Sequence, residues 1–285
     1  VNYSSSPRYE YIFSLTLVVV LGLAIVLLLD GNPNTLRAQL GGDIPPITVS
    51  WLLIALLSVI TSTAADLLAR AHPELQSRDL PTLHLGFTKL EVVPDFWILP
   101  SYSLISSFAF FRLFNDSLHG IAFILALGVA GGLVLVVLLG QHYALNRQIE
   151  TQQPARLVLQ IIGYFLAFGC FSAIFYAHFR TLYAAPLIGV TGGLLAYKEL
   201  QWSACPNRKV IALFMGLLLG EATWALNYWA TNFLLSGTLL LVIFYIAVSL
   251  IYHQTAGTLQ RKLLIEYGLL GCAILLMVIL VSFRT

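Results

Sequence analysis

Nine stretches of close to 20 residues, each nearly free of charge, recur from one end of the chain to the other. A spanning helix needs about 20 apolar residues to cross roughly 30 Å of hydrocarbon. The runs are Tyr11 to Leu29, Ile47 to Ala65, Trp97 to Phe114, Gly120 to Leu139, Leu157 to His178, Leu182 to Tyr197, Val210 to Thr231, Phe233 to Tyr252 and Leu263 to Phe283. Lipid offers no partners to backbone N–H and C=O groups, so runs of this length predict helices. The expected fold class is therefore all-α: a polytopic integral membrane helix bundle of about nine transmembrane helices. Composition agrees, because 59% hydrophobic and 10% charged side chains over 285 residues leave too little polar surface to clothe a soluble fold. The runs cover residues 1–285 as a single transmembrane helical domain, with an outer loop at 30–46 and a cytoplasmic loop at 66–96.

The first run is longer than the apolar region of a signal peptide and is followed by Asp30-Gly31-Asn32-Pro33 in place of a small-residue cleavage site, so a retained helix is expected. The sixth run is the weakest. It is short and holds Pro186, Gly189, Gly192 and Gly193, which also suit a re-entrant or broken helix.

Charge decides between these readings. With nine spans and a cytoplasmic N-terminus, the inner segments carry Arg8, Arg70, Arg78, Lys89, Arg147, Arg156, Lys198, Arg208, Lys209, Arg261 and Lys262, and the outer ones carry Arg37, Arg112, Arg180 and Arg284. This eleven-to-four split obeys the positive-inside rule, whereas removing the sixth span gives seven against eight. The expectation is a multi-pass plasma-membrane protein with its C-terminus outside. Trp51, Trp97, Trp202 and Trp229 fall at run ends, where amphipathic rings favour the headgroup level, and Trp224 alone lies well inside a run.

In the cytoplasmic loop, Asp66 to Gln76 is expected to continue the second helix, and Leu83, Leu85, Phe87, Leu90 and Val92 alternate with polar residues along what reads as an interfacial or docked connector. His72, Glu74, His84 and Glu91 have metal-ligating side chains, but their spacing fits no constrained ligand pattern, and solvated loop polarity explains them better.

The sequence contains no phosphate-binding GxxxxGKS/T loop, HExxH motif or EF-hand spacing. It carries no mid-helix lysine for a Schiff base and no facing intramembrane histidines for haem. Cys170, Cys205 and Cys272 lack disulfide or metal spacing. No cofactor, metal or catalytic residue is therefore expected. The net charge of +2 is scattered singly, which argues against nucleic acid as a partner. The partners expected are membrane lipids and other membrane proteins.

Two further features carry functional expectations. The hexapeptide Gly128 to Leu133 recurs as Gly189 to Leu194, which reads as glycine-mediated helix packing in preference to a parallel internal repeat. In the seventh run, Gly216, Gly220, Thr223 and Asn227 cluster on one helical face, and Glu221, Trp224 and Tyr228 are read as continuing it. Glu221 is expected about 17 Å from the inner end at Val210, facing the protein interior, with no lysine or arginine at that depth in any other run.

Glu221, Trp224, Asn227 and Tyr228 thus form the candidate intramembrane polar site, with Gly216 and Gly220 as packing residues. Ser58, Thr61, Ser62, Ser103, Ser106, Ser107, Gln160, Tyr164, Tyr245 and Ser249 are the polar residues of other runs able to meet it. The function expected first is non-catalytic: scaffold, assembly factor or accessory subunit. A proton- or cation-coupled transporter of a small solute using Glu221 follows closely, and a lipid-modifying enzyme is third.

Overall fold

The computed structural model describes residues 9–30, 37–38, 47–72, 82–85, 88–91, 94–114, 120–146, 148–203, 205, 207–229 and 232–282. Among them are nine α-helices: α1 Tyr9–Asp30, α2 Val49–Arg70, α3 Ile98–Leu113, α4 Ile121–Ala144, α5 Ile149–Tyr176, α6 Thr181–Glu199, α7 Arg208–Asn227, α8 Phe233–Thr255 and α9 Arg261–Ser282. Each coincides with one apolar run, and the fold is an all-α, polytopic membrane helix architecture. Seven of the nine are long and apolar enough to cross a bilayer; α3, with 16 residues, and α6 are the exceptions.

Strand structure among the described residues is confined to two short antiparallel ladders, β1 Arg37–Ala38 with β2 Ile47–Thr48, and β3 Thr82–Leu85 with β4 Thr88–Glu91. The second ladder forms where the loop between α2 and α3 alternates in hydrophobicity, with Leu83 opposite Leu90. α2 stops at Arg70, short of the expected Gln76, and residues 73–81 lie outside the described set, as does Glu74 of the metal reading.

The chain packs as two compact units, 1–162 and 163–285, with α5 contributing to both. In the first unit α1 to α4 alternate in direction. Asp30 at the end of α1 pairs with Arg112 at the end of α3 at 3.4 Å, and the Arg112 guanidinium lies 5.7 Å from the Trp51 ring at the start of α2. At the opposite end Tyr9 meets Tyr143 through their hydroxyls at 2.6 Å, and His72 meets Asn146 at 3.1 Å.

The core between these ends is built from Val19 and Leu23 of α1, Ile54 and Leu57 of α2, Leu104 and Phe108 of α3, and Val134 and Leu138 of α4. α3 is buried on most of its surface, which explains why a run holding four serines is stable there. Its serines turn inward: Ser101 donates to the Trp97 carbonyl and Ser103 to the Pro100 carbonyl, both at 2.8 Å.

In the second unit α5 and α8 run antiparallel through Tyr176 with Phe233, Phe171 with Phe244 and Tyr164 with Tyr245. α8 turns into α9 through a Schellman motif. Gly257 takes φ +67°, its N–H donates to the Gln254 carbonyl at 3.2 Å, and the Thr258 N–H donates to the His253 carbonyl at 3.0 Å.

The α6–α7 pair is the most extensive helix pairing of this unit. Despite Pro186 and its glycines, α6 is one unbroken helix of 19 residues.

Candidate functional site: the α6–α7 groove

Glycine makes the α6–α7 contact possible. A Cβ on Gly216 would lie 2.6 Å from the Gly189 carbonyl oxygen, and one on Gly193 would lie 2.9 Å from the Ala212 carbonyl oxygen. Side chains at these positions would force the two backbones apart, so the second copy of the repeated hexapeptide serves as a helix seam. The first copy differs. A Cβ on Gly128 or Gly132 would meet nothing within 4 Å, and Gly131 alone is packed, against Val20. At the far end of the pair the Asn227 amide donates to the Thr181 hydroxyl at 2.9 Å; at the near end Arg208 lies 3.8 Å from the centre of the Tyr197 ring.

Above this seam lies an open groove of about 930 Å³ whose lining is almost wholly apolar. Gly189, Gly193, Gly216 and Gly220 form its floor; Pro186, Val190 and Leu194 rise on one side, Leu213 and Leu217 on the other. Lys209 and Tyr197 mark one end, and Glu221 with Trp224 the other.

The structure separates the residues that the sequence reading grouped. Buried in α7 are Ala212, Met215, Gly216, Leu219, Thr223 and Leu226, whereas Glu221, Trp224, Asn227 and Tyr228 are exposed. The expectation that Glu221 faces the protein interior is corrected accordingly. Five residues at 100° each place it about 140° round the helix from Gly216, too far to share the glycine face.

Its depth shifts as well. α7 stops at Asn227, so Glu221 lies six residues, about 9 Å, from that end instead of near the middle of a longer helix. Asn227 ties the two helix ends together, and Tyr228 follows the last helical residue with 85% of its surface exposed.

Among the described residues only those of α6 and α7 line the groove, and the polar side chains considered as company for Glu221 are not among them. Thr61 donates to the Leu57 carbonyl at 2.8 Å and Ser62 to the Ser58 carbonyl at 2.7 Å, each on its own helix. Tyr164 of α5 meets the Phe244 and Tyr245 rings of α8 edge-on, and Tyr245 meets Tyr267 of α9 in the same way. His178 takes φ 49° in the turn between α5 and α6.

One cluster escaped the sequence reading. Just beyond the apolar run of α6, Lys198 is buried and donates to the Gln201 side-chain oxygen at 2.5 Å, with its Nζ 5.9 Å from the Trp202 ring centre. The neighbouring Glu199 carboxylate occupies the space above Gly163, where a Cβ would collide with it. Burial pushes the Glu199 carboxyl up to about 8, with the Lys198 charge opposing the shift. The available signal was the run Lys198-Glu199-Leu200-Gln201-Trp202, in which charges follow a helix without the glycine or proline break of a free loop.

Residues 31–281 match the family described as "Protein of unknown function (DUF5656)". The match begins after α1 and takes in α2 to all but the last residue of α9. Neither the curated proteins nor the solved structures contain a match.

Proposed function

The chain belongs to the DUF5656 family, and we propose that it is a non-catalytic, multi-pass plasma-membrane protein, a scaffold, assembly factor or accessory subunit, whose α6–α7 groove receives another membrane component. The observation that carries this reading is the groove itself. Its walls are apolar and open along the helix pair, as suits a membrane-resident partner, and its floor is fixed by backbone contact between glycines. A photo-crosslinking side chain at Leu217 in native membranes tests the reading, with the same group at Leu269, exposed on α9, as control. A defined protein adduct from Leu217 and none from Leu269 is the expected result. Identical lipid-only adducts at both positions would overturn it.

A second reading, proton- or cation-coupled transport of a small solute, draws on the Glu221 carboxylate being open to the groove within an apolar helix. If that reading holds, Glu221→Gln abolishes pH-dependent uptake in proteoliposomes while melting stays unchanged. Uptake that is absent in the wild type, or equal in both proteins, removes it.

A further inference from the structure

We propose that the α6–α7 groove docks a transmembrane helix of a different membrane protein, one that carries an arginine or lysine facing Glu221. The inference rests on the groove-docking reading above and specifies the chemistry of the occupant.

Glu221 is exposed at the groove wall, about 20 Å from Arg208 and about 9 Å from Asn227 along α7, beyond the reach of its own side chain to either end. A carboxylate left against lipid at such depth costs several kcal/mol unless it is paired or neutralised. The ion pairs found among the described residues, Arg70 with Asp66 and Arg112 with Asp30, do not include it. Of the nine apolar runs only the third carries a lysine or arginine, Arg112 near its end, and that guanidinium is paired with Asp30, so no other run offers Glu221 a cation in register.

The groove has the shape of a helix seat. Its walls present Val190 and Leu194 on α6, and Leu213 and Leu217 on α7, each pair four residues apart, which is the spacing of the ridges that pack into a neighbouring helix's grooves. From Lys209 to Trp224 the groove runs fifteen residues, about 22 Å, or four turns of a partner helix. A lipid chain would fill the same space but leave the carboxylate unpaired. A guanidinium on a flexible stem reaches Glu221 from near the middle of a spanning helix.

The test uses the full-length protein in phosphatidylcholine vesicles with two synthetic leucine-alanine spanning helices, identical except for arginine or leucine at the centre. Association is read by energy transfer between dyes on protein and peptide. The wild type is expected to bind the arginine helix about tenfold more tightly than the leucine helix, and Glu221→Gln to bind the two within about twofold. Leu217→Trp, which fills the groove while keeping the carboxylate, is expected to weaken both.

Equal binding of both helices by the wild type, abolished by Leu217→Trp, overturns the charge pairing and leaves groove docking standing. Binding of neither helix overturns both. Self-association of the protein that Glu221→Gln removes would assign the groove to a second copy, and preference for a long-chain alkylamine over the arginine helix would assign it to an amphiphile. Either result overturns the proposal.

Discussion

Each glycine of this chain has a different stake in the structure. Gly216 and Gly189 stand backbone to backbone, so Gly216→Leu must separate α6 from α7 and is expected to lower stability by about 2 kcal/mol or more. Gly220 has more room, since a Cβ there would lie 3.5 Å from the Ala185 carbonyl oxygen, an ordinary contact, and Gly220→Ala should be tolerated. Gly132 has no neighbour within 4 Å of a Cβ, so Gly132→Ala should melt as the wild type or slightly higher, because alanine is the better helix former. Thermal unfolding of the three variants in one detergent checks the order. If Gly216→Leu and Gly132→Ala melt alike, the α6–α7 seam does not exist as described.

At the scale of the element, the end of α6 is where pH acts. Glu199 has its carboxyl raised from 4.5 to about 8, so the folded protein holds a proton that the unfolded chain gives up. Stability from this group is therefore greatest below about pH 4.5, falls as pH rises toward 8, and is lost above that value. Glu199→Gln keeps the shape and has no proton to release, so it should melt above the wild type at pH 8.5 and approach it at pH 4.5. The comparison is a pair of melting curves across that range. A constant difference between the two proteins would place Glu199 in water and remove the burial argument. The same element also shows that proline and glycine do not break a helix when a neighbour holds it. Pro186 sits in the second turn of α6, and the glycines that weaken the helix in isolation are the ones α7 packs against.

For the whole molecule, helix direction bears on how the chain crosses the bilayer. Within each unit successive helices reverse direction: in the first, Asp30, Trp51 and Arg112 gather at one end; in the second, Thr181 meets Asn227 and Tyr197 meets Arg208. Reversal at each step suits nine crossings, which is also the arrangement that puts eleven of fifteen basic residues on the cytoplasmic side. Reporter domains fused after Glu150, Cys205 and Gly257 should then all report cytoplasm. An external signal after Cys205 alone would mean that α6 enters and leaves by the same face.

The positions of the nine described helices were legible in the sequence, because lipid allows no other satisfied backbone and the apolar run is itself the helix. Glycine packing was legible as a spacing, since close approach of two helices needs small side chains wherever it occurs. What each helix faces was not legible. In a soluble protein the apolar face marks the core, but a membrane helix is apolar toward both lipid and protein, so its buried side leaves little imprint on the pattern. That is why Glu221 reads as an interior residue beside Gly216 and Thr223, yet stands open to a groove. It is also why Lys198 reads as a charge of an inner segment, though it is buried. The runs determine that the chain spans and where it turns; the pairing of α6 with α7, which no local pattern encodes, decides which polar groups are covered and which wait for a partner.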